Sequence, residues 1–247
     1  MNRDYWDRIS KDYENEVLSV FDNDLQGIVE EKIAAAGVAY PAGRAADIGC
    51  GIGRFTPLIA DTFCEVDACD FTSVGLKKAK ARCRGRDNIR FYELDLTKDS
   101  FPFEPVEFVF CVNVLIMPAL DTRLRAWWNM ANQVVSGGTL LLVVPSYESF
   151  QMEYYHRLKS RLDDGETTTS AIRNSIDEKA TAADMRMGVV QLDGVRTKHY
   201  LREELVSMVR ARQFDIQEVV KVEYPPQNDS EFVTWDWLAV AKRDYEA

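Results

Sequence analysis

Three glycines at alternate positions, Gly49, Gly51 and Gly53, follow a short apolar segment that contains Asp47, in the stretch AADIGCGIGRF. Glycine loses more conformational entropy on folding than other residues, so such a cluster is expected where the backbone turns sharply or approaches a ligand closely. A glycine turn after a first parallel strand also starts a helix whose N–H groups face a ligand. The stretch therefore predicts a strand, a ligand-binding turn and a helix, in that order.

The spacing of this turn separates two classes of ligand. Dinucleotides favour the pattern G-x-G-x-x-G, with the pyrophosphate at the helix N-terminus. Here the pattern is D-x-G-x-G-x-G, and the residue after it is Arg54. A carboxylate beside the turn repels a pyrophosphate but suits a ligand that carries a positive ammonium group, and the second class is therefore favoured.

Strand-like and helical segments alternate along the central part of the chain. The strands are predicted at RAADIG, CEVDACD, IRFYELD, VEFVFCVNVL and TLLLVVP, and the helices between them at RFTPLIADTF, SVGLKKAKARC and TRLRAWWNMANQVV, the last closed by Gly137 and Gly138. This alternation predicts a parallel sheet with helices on both faces.

The C-terminal segments follow a different pattern. The helix REELVSMVRARQF precedes the strands DIQEVVKVEY and FVTWDWLAVAKR, and no crossover helix lies between these two strands. They are therefore expected to pair antiparallel. The predicted fold class is α/β, with a seven-stranded, mostly parallel sheet, an antiparallel last strand and helices on both faces.

Two further regions flank or interrupt this pattern. Tyr5, Ile9, Tyr13 and Val17 recur at four-residue spacing and predict a helix over about residues 3–20. The stretch DLQGIVEEKIAAAG predicts a second helix, with Asp24 as its N-cap, Leu25 among its inward residues and Gly37 as its stop.

Residues 146–197 are longer than a simple connection requires. They contain a predicted helix, ESFQMEYYHRLKSRL, a polar run, DDGETTTS, a short helix around DEKATAADM and a hairpin that turns at Asp193-Gly194. We interpret this segment as a cap inserted at the edge of the sheet, so that residues 1–247 form a single domain.

Acidic residues recur where the predicted strands end. Asp70 ends the second strand, where a carboxylate can accept both ribose hydroxyls of a nucleoside. Asp67 on the same strand is an alternative, and Asp70 could instead cap the following helix. Asp95 ends the third strand, where it can accept from an adenine amino group while the Leu96 N–H meets a ring nitrogen; the alternative is a turn aspartate.

The stretches ADIGCGIGRF, ACDFTS, ELDL, VEFVFCVNVL and VSGGTLLLVVP resemble successive motifs of the class I S-adenosylmethionine-dependent methyltransferases. The resemblance covers roughly residues 40–145 and, by strand order, the closing helix and hairpin to residue 243. It implies a Rossmann-like fold and S-adenosylmethionine as cofactor. The cofactor-binding residues that it implies, with the aromatic candidates added, are Asp47, Gly49, Gly51, Gly53, Asp70, Phe71, Asp95, Leu96, Asn113 and Trp6.

Within that resemblance, Asp47 and the glycine turn hold the amino-acid part of the cofactor, and Asn113, with Val114 and Leu115, lies near the methyl-bearing sulfur. An N-terminal helix in this family often lies over the cofactor, so residues 1–36 are expected to cover the site. Many relatives carry an acidic residue and a histidine shortly after the fourth strand. This chain has Ile116 and Met117 there, so a base at that position is not expected.

Aromatic residues are abundant in the N-terminal helix and the cap, and they suit an amine acceptor through cation–π contact or a flat aromatic acceptor by stacking. Simple packing is the alternative for most of them. The candidate catalytic residues are His156, as a general base beside Tyr154 and Tyr155, and Tyr13. Trp235 and Trp237 share one strand face and are expected in the core.

Composition excludes several classes of function. The net charge of −10 makes nucleic acid and anionic membranes poor partners. Five cysteines without CxxC spacing indicate reduced thiols, and the absence of a signal-like or membrane-spanning run predicts a soluble, cytoplasmic protein. Only two histidines, in separate segments, argue against a metal site and against a Ser-His-Asp hydrolase.

The sequence therefore favours a methyltransferase that acts on a nitrogen or oxygen of a small-molecule acceptor. A methyltransferase for protein N-termini or other protein amines is a variant of this hypothesis. A non-catalytic methyltransferase-like binding protein is a second hypothesis, which the missing base near Met117 keeps open. A dinucleotide oxidoreductase is disfavoured by Arg54 and by the terminal hairpin.

Overall fold

A computed structural model describes residues 3–11, 19–175, 181–192, 195–226 and 232–244. Its main sheet has seven strands in the order β3-β2-β1-β4-β5-β9-β8, and β6 pairs with β7 in a separate hairpin. The strands are β1 Arg44–Ile48, β2 Glu65–Asp70, β3 Ile89–Glu93, β4 Val106–Val112, β5 Val134–Pro145, β6 Val189–Leu192, β7 Val195–Lys198, β8 Phe214–Glu223 and β9 Trp235–Arg243.

Strands β1 to β5 are parallel, and β9 is antiparallel to both of its neighbours, β5 and β8. The predicted α/β fold with its antiparallel last strand is therefore confirmed. Strands in the centre of a parallel sheet are covered by helices on both faces, so their side chains are buried in both directions. Strand β4 shows this, because Phe108, Val109 and Phe110 are all buried.

The described part of the chain has helices on both faces of the sheet and further helices within residues 146–197. They are α1 Arg3–Ile9, α2 Val20–Asn23, α3 Ile28–Ala39, α4 Thr56–Thr62, α5 Ser73–Arg82, α6 Leu120–Ala131, α7 Tyr147–Asp163, α8 Thr168–Ser175, α9 Ala182–Arg186 and α10 Arg202–Arg210. One core cluster centres on Trp127 of α6, and the other on Ile33 of α3 and Ile59 of α4. Within the described ranges, no helix has the length and apolar content needed to cross a membrane.

The glycines predicted to close α6 belong instead to a strand. The helix ends at Ala131, and Gly137 and Gly138 lie inside β5. The pairing of β5 with β4 shifts register in this region, and Gly137 has a positive φ of 74°. Glycine is the residue that supplies this conformation at a strand irregularity, so the prediction of a helix stop was wrong.

The N-terminal predictions were partly correct. The Asp24 carboxylate accepts a hydrogen bond from the Val29 N–H (2.9 Å), but the N-cap residue of α3 is Gly27, so the prediction of Asp24 as the N-cap was wrong. Leu25 was predicted to face inward but is 56% exposed, because α3 begins only at Ile28. Tyr13 and Val17 lie outside the described residues.

The cap contains the predicted helix α7, the short helix α9 and the antiparallel hairpin β6–β7. The turn predicted at Asp193-Gly194 falls outside the described residues. Part of the polar run DDGETTTS begins α8, and the Glu166 carboxylate just before this helix accepts from Arg161, Ser170 and Asn174. Hydrogen bonds between neighbouring polar side chains support the start of this helix.

The cap is joined to the sheet at the end of β5. The Tyr200 N–H donates to the Pro145 carbonyl (2.7 Å), and the Tyr147 N–H donates to the Tyr200 carbonyl (2.9 Å). These two bonds attach the start of α7 and the segment after β7 to the end of β5.

Gly37, predicted to stop α3, lies within that helix, which ends two residues later at Ala39. A Cβ at this position would lie 2.3 Å from Cγ2 of Thr62, the last residue of α4. The Thr62 hydroxyl donates to the Leu58 carbonyl (2.8 Å), which fixes the threonine rotamer. Gly37 is therefore required for close packing of two helices rather than for a turn.

We expect Gly37→Ala to lower the free energy of unfolding by about 1–2 kcal/mol, because the steric conflict outweighs the better helix propensity of alanine. Thr62→Ser removes the methyl group but keeps the hydroxyl. In that background, Gly37→Ala should become neutral or slightly stabilising. Urea denaturation of the four variants of this cycle measures both effects, and an equal loss in both backgrounds would contradict the packing argument.

Candidate functional site at the carboxyl ends of the strands

The turn after β1 has the backbone conformation that its glycines predict. Gly49, Gly51 and Gly53 have positive φ values of 76°, 54° and 75°. A Cβ on Gly49 would lie 2.1 Å from Cγ2 of Val114, and one on Gly53 would lie 2.8 Å from Ala79, whereas a Cβ on Gly51 would meet nothing within 4 Å. Gly49 and Gly53 therefore allow the turn to pack closely against the rest of the protein. The backbone at Gly51 is not covered by other residues and can be approached by a ligand.

Asp47, on β1 just before this turn, is 3% exposed. Its carboxylate accepts a hydrogen bond from the Thr56 hydroxyl at the start of α4 (2.6 Å). Burial raises the pKa of Asp47 to about 7, although the Thr56 hydrogen bond acts in the opposite direction, and the nearby Asp70 raises it further. This carboxylate therefore changes charge close to neutral pH, and a cation placed beside it would stabilise the ionised form.

Asp70, at the end of β2, is joined directly to the glycine turn. Its carboxylate accepts from the Gly51 N–H (3.0 Å), from the Thr72 N–H (2.8 Å) and from the Thr72 hydroxyl (2.7 Å). Burial raises the pKa of Asp70 in spite of these bonds. A carboxylate can accept about four hydrogen bonds, so this one is held in place and still has acceptor capacity for a ligand.

The alternative residue, Asp67, is already occupied by two arginines. It is completely buried, and its carboxylate forms ion pairs with Arg44 (2.9 Å) and Arg90 (2.8 Å). The arrangement favours Asp70 over Asp67 as the carboxylate available to a ligand.

Asp95 has the contacts of a turn residue, the alternative considered for it. Its carboxylate accepts from the N–H and the hydroxyl of Thr97 (2.9 and 2.6 Å) and pairs with Lys98 (2.8 Å). Burial acts to raise its pKa, but the bonds from Lys98 and Thr97 prevail and hold the pKa below its ordinary value. Leu96 is buried, and Phe71 is half-buried just after Asp70. Binding of adenine by Asp95 and Leu96 remains a prediction.

Helix α1 lies against α5 and the end of β3, near the same strand ends. Arg3 forms an ion pair with Glu93, and the Lys78 ammonium donates to the Lys11 carbonyl (2.7 Å). Trp6 is half-buried and meets Tyr5 edge-to-face. Helix α1 also carries Asp7, which sequence reasoning missed.

One carboxylate oxygen of Asp7, Oδ1, is buried without a hydrogen-bond partner among the described residues, and the charge of Asp7 contributes to the raised pKa of Asp70. Helix α1 therefore brings the acidic side chain of Asp7 close enough to Asp70 for their charges to interact. A single acidic residue on a helix gives no signal in a sequence that could have identified it.

Asn113 follows β4 in a left-handed conformation with a φ of 54°. Its Nδ2 donates to the Asp236 carboxylate (2.8 Å), which also accepts from the Tyr224 hydroxyl (2.6 Å). Sequence reasoning missed Asp236 and Tyr224. The available signal was an aspartate between two tryptophans in the apolar strand TWDWLAVA, since a buried polar residue is more informative than a buried apolar one.

The loop after β4 is held by buried polar side chains. The Tyr200 hydroxyl donates to the Leu115 carbonyl (2.7 Å), the Lys198 N–H donates to the Ile116 carbonyl (2.9 Å), and the Arg123 guanidinium donates to the Met117 carbonyl (2.5 Å). Ile116 is buried. This loop is therefore fixed in place, and its side chains at the positions of interest carry no acid or base.

The structure does not join His156 to the strand-end residues. It is the tenth residue of α7, about 15 Å along the helix from the end of β5 at 1.5 Å per residue. Its exposed ring stacks on Phe232 with 4.6 Å between ring centroids. Tyr13 lies outside the described residues. The catalytic roles of both remain predictions without support from these contacts.

His199, which lies between β7 and α10 in the chain, is buried. Its ring nitrogens lie 3.4 Å from the Ser146 carbonyl and 3.3 Å from the Thr197 hydroxyl. Burial lowers its pKa to about 4, so the ring is neutral at physiological pH. Trp235 and Trp237 are buried, as predicted for core residues.

Comparisons with known proteins agree with this geometry. Residues 45–138 match the family model described as methyltransferase domain, a segment that runs from β1 into β5. The match confirms the resemblance to methyltransferases that the sequence motifs indicated. No curated protein sequence matches the chain.

Solved structures with similar folds include several methyltransferases. N-methyltransferase NodS from Bradyrhizobium japonicum WM9, in complex with S-adenosyl-L-homocysteine, has a TM-score of 0.59 at 15% identity, over 90% of this chain and 89% of that one. Magnesium protoporphyrin IX methyltransferase (ChlM) from Synechocystis PCC 6803, with bound SAM, has a TM-score of 0.61 at 14% identity, over 98% and 95%. A DhpI-SAM-HEP complex has a TM-score of 0.61 at 17% identity, over 97% and 94%.

At these identities the similarity establishes a shared fold. NodS is named only as an N-methyltransferase, whereas ChlM is named for magnesium protoporphyrin IX, so the fold alone does not determine the acceptor of this chain. The acceptor must be inferred from the side chains at the site.

The two kinds of glycine in the turn can be distinguished by experiment. Gly53→Ala should lower the free energy of unfolding by about 2–4 kcal/mol, because a left-handed backbone is strained by a side chain and Ala79 blocks the added Cβ. Gly51→Ala should cost only the backbone strain, about 1–2 kcal/mol, since nothing lies within 4 Å. Denaturant titration of both variants measures the difference, and equal losses would contradict the assignment of Gly51 as the open face.

Proposed function

We propose that this protein is an S-adenosylmethionine-dependent methyltransferase that moves a methyl group to a nitrogen or oxygen of a small-molecule acceptor. The observation that carries the proposal is the open glycine turn at Gly51 between two carboxylates, Asp47 and Asp70. The match of residues 45–138 to the methyltransferase-domain model supports it, as does a fold shared with proteins crystallised with SAM or S-adenosyl-L-homocysteine.

The residues at the turn fit this cofactor. A ligand with an ammonium group would stabilise the ionised form of buried Asp47. The Asp70 carboxylate has the acceptor capacity for ribose hydroxyls and is already oriented by three hydrogen bonds. The open backbone at Gly51 allows close approach, and α1, with Trp6 and Asp7, would cover the ligand from the N-terminal side.

S-adenosylmethionine supplies an electrophilic methyl group on a sulfonium, which an acceptor lone pair displaces while the electrons of the broken C–S bond remain on sulfur. The contribution of the protein is then to align the acceptor and exclude water. The cap over residues 146–197 and the fixed loop after β4 are suited to these tasks. The strand-end carboxylates also favour a neutral or cationic acceptor over an anionic one.

A non-catalytic, cofactor-binding protein is a second candidate. The observation that favours it is the loop after β4, where Ile116 and Met117 provide no proton acceptor and His156 lies far along α7. Transfer of labelled methyl groups from S-adenosylmethionine into a metabolite extract separates the two candidates. Labelled product supports the enzyme, whereas cofactor binding without product from amines, phenols or carboxylates supports the binding protein.

Asp70→Ala should weaken binding of S-adenosyl-L-homocysteine by about 1–3 kcal/mol, roughly 5- to 150-fold in Kd, because charge-assisted hydrogen bonds to the ribose are lost. Isothermal calorimetry measures the change. Asp61→Ala is the control, since Asp61 is an exposed partner of Arg86 and should not affect affinity. Unchanged affinity in Asp70→Ala would remove the ribose role from this residue.

Affinity for S-adenosyl-L-homocysteine should fall as the pH decreases below about 7. The pKa of Asp47 is raised by burial to about 7, and a bound ammonium group requires its ionised form, so binding at lower pH must first displace a proton. Thr56→Val removes the hydrogen bond that favours ionisation, and should move the transition to higher pH. Calorimetry between pH 5.5 and about 8.5 tests this, and a flat profile for the unmodified protein would contradict the pairing of Asp47 with the ammonium group.

A further inference from the structure

Only the NH₂ group of the Asn113 amide forms a hydrogen bond with the described residues. Its Nδ2 donates to the Asp236 carboxylate (2.8 Å), while its Oδ1 is buried and has no hydrogen-bond partner among the described residues. An unpaired buried acceptor is costly, and native structures rarely leave one without a reason. The amide oxygen therefore requires a donor that the described part of the protein does not supply.

Asp236 fixes the orientation of that amide. A carboxylate only accepts hydrogen bonds, so the NH₂ edge of Asn113 must face it and the oxygen edge must face away. The carboxylate is itself held by the Tyr224 hydroxyl (2.6 Å) and by the Ser146 N–H. Both Asp236 and Tyr224 are buried, and three donors already occupy the carboxylate. Asp236 is therefore suited to positioning Asn113 and not to removing a proton.

The backbone places Asn113 beside the proposed cofactor turn. The next residue, Val114, packs directly on Gly49 of that turn, and the Asn113 N–H donates to the Val143 carbonyl of β5 (2.9 Å). Asn113 thus lies between the glycine turn and the end of β5, where the cap meets the sheet. A small acceptor enclosed between turn and cap would lie next to this residue.

We propose that Tyr224 and Asp236 are positioning residues that orient the Asn113 amide, and that its Oδ1 accepts a hydrogen bond from the N–H or O–H of the methyl acceptor. This inference rests on the proposed function and narrows its substrate class. An acceptor with a hydrogen on the reacting atom, such as a primary or secondary amine, satisfies the amide oxygen. A carboxylate has no hydrogen to donate, so its oxygen would be repelled by the Asn113 Oδ1. Carboxylates are therefore expected to be poor substrates.

A stable analogue tests this without knowledge of the acceptor. Sinefungin carries an amino group on carbon in place of the methyl-bearing sulfonium, so it presents N–H donors where the methyl group would be. S-adenosyl-L-homocysteine presents none there. The ratio of the two affinities, measured by calorimetry, therefore reports the contacts of this amino group, and its change in a variant gives the part that depends on Asn113.

Asn113→Gly keeps the left-handed backbone but removes the amide, and should lower the sinefungin preference about tenfold. Tyr224→Phe removes one hydroxyl and should lower it about threefold by loosening the Asp236 carboxylate. Tyr40→Phe is the matched control, since the Tyr40 hydroxyl bonds to Gly137 (2.8 Å) and Thr139 (2.9 Å) in another part of the sheet. It should leave the preference unchanged.

The outcomes separate the two proposals. A preference for sinefungin over S-adenosyl-L-homocysteine that falls in Asn113→Gly and Tyr224→Phe but not in Tyr40→Phe supports the inference. An unchanged preference in Asn113→Gly and Tyr224→Phe overturns the inference and leaves the proposed function intact. Failure of the unmodified protein to bind either compound would overturn the proposed function itself.

Discussion

The hydrogen bond from the Gly51 N–H to the Asp70 carboxylate is the interaction on which the site depends. It ties the end of β2 to the turn that follows β1, and it requires the left-handed backbone that only glycine adopts without strain. Thr72 completes the arrangement by donating twice to the same carboxylate. Because Asp70 is already oriented without a ligand, binding costs less side-chain conformational entropy. Such preorganisation allows high affinity from few contacts.

Buried negative charge is the second property of this edge of the sheet. Burial raises the pKa of Asp47, of Asp70 and of Asp236, so each carboxylate is less stable in its ionised form than it would be in water. Neighbouring hydroxyl and N–H donors offset this cost only in part. A cationic ligand beside Asp47 and Asp70 would offset more of it, so the same burial that destabilises these ionised groups favours a positively charged partner.

Sequence reasoning identified the sheet, the antiparallel last strand and the carboxylates near the ends of β1 and β2, because these features are encoded locally by apolar runs, glycine spacing and strand ends. It failed where the cause is distant in the chain. Gly37 is determined by Thr62 and not by its own helix, and Gly137 by the pairing of β5 with β4. Asp236 was missed for the same reason, since its partner Asn113 lies 123 positions away.

The strand order has a consequence for how the molecule assembles. Strand β8 lies at the edge of the sheet and pairs only with β9, which in turn is inserted between β8 and β5. During synthesis β8 therefore emerges before the neighbour that can hold it, and it has no place in the sheet until β9 has also emerged. The Tyr224–Asp236–Asn113 contacts form at that same step, so the surroundings of Asn113 are completed last. Such long-range closure is slow, and it leaves apolar strand edges open to self-association in the interval.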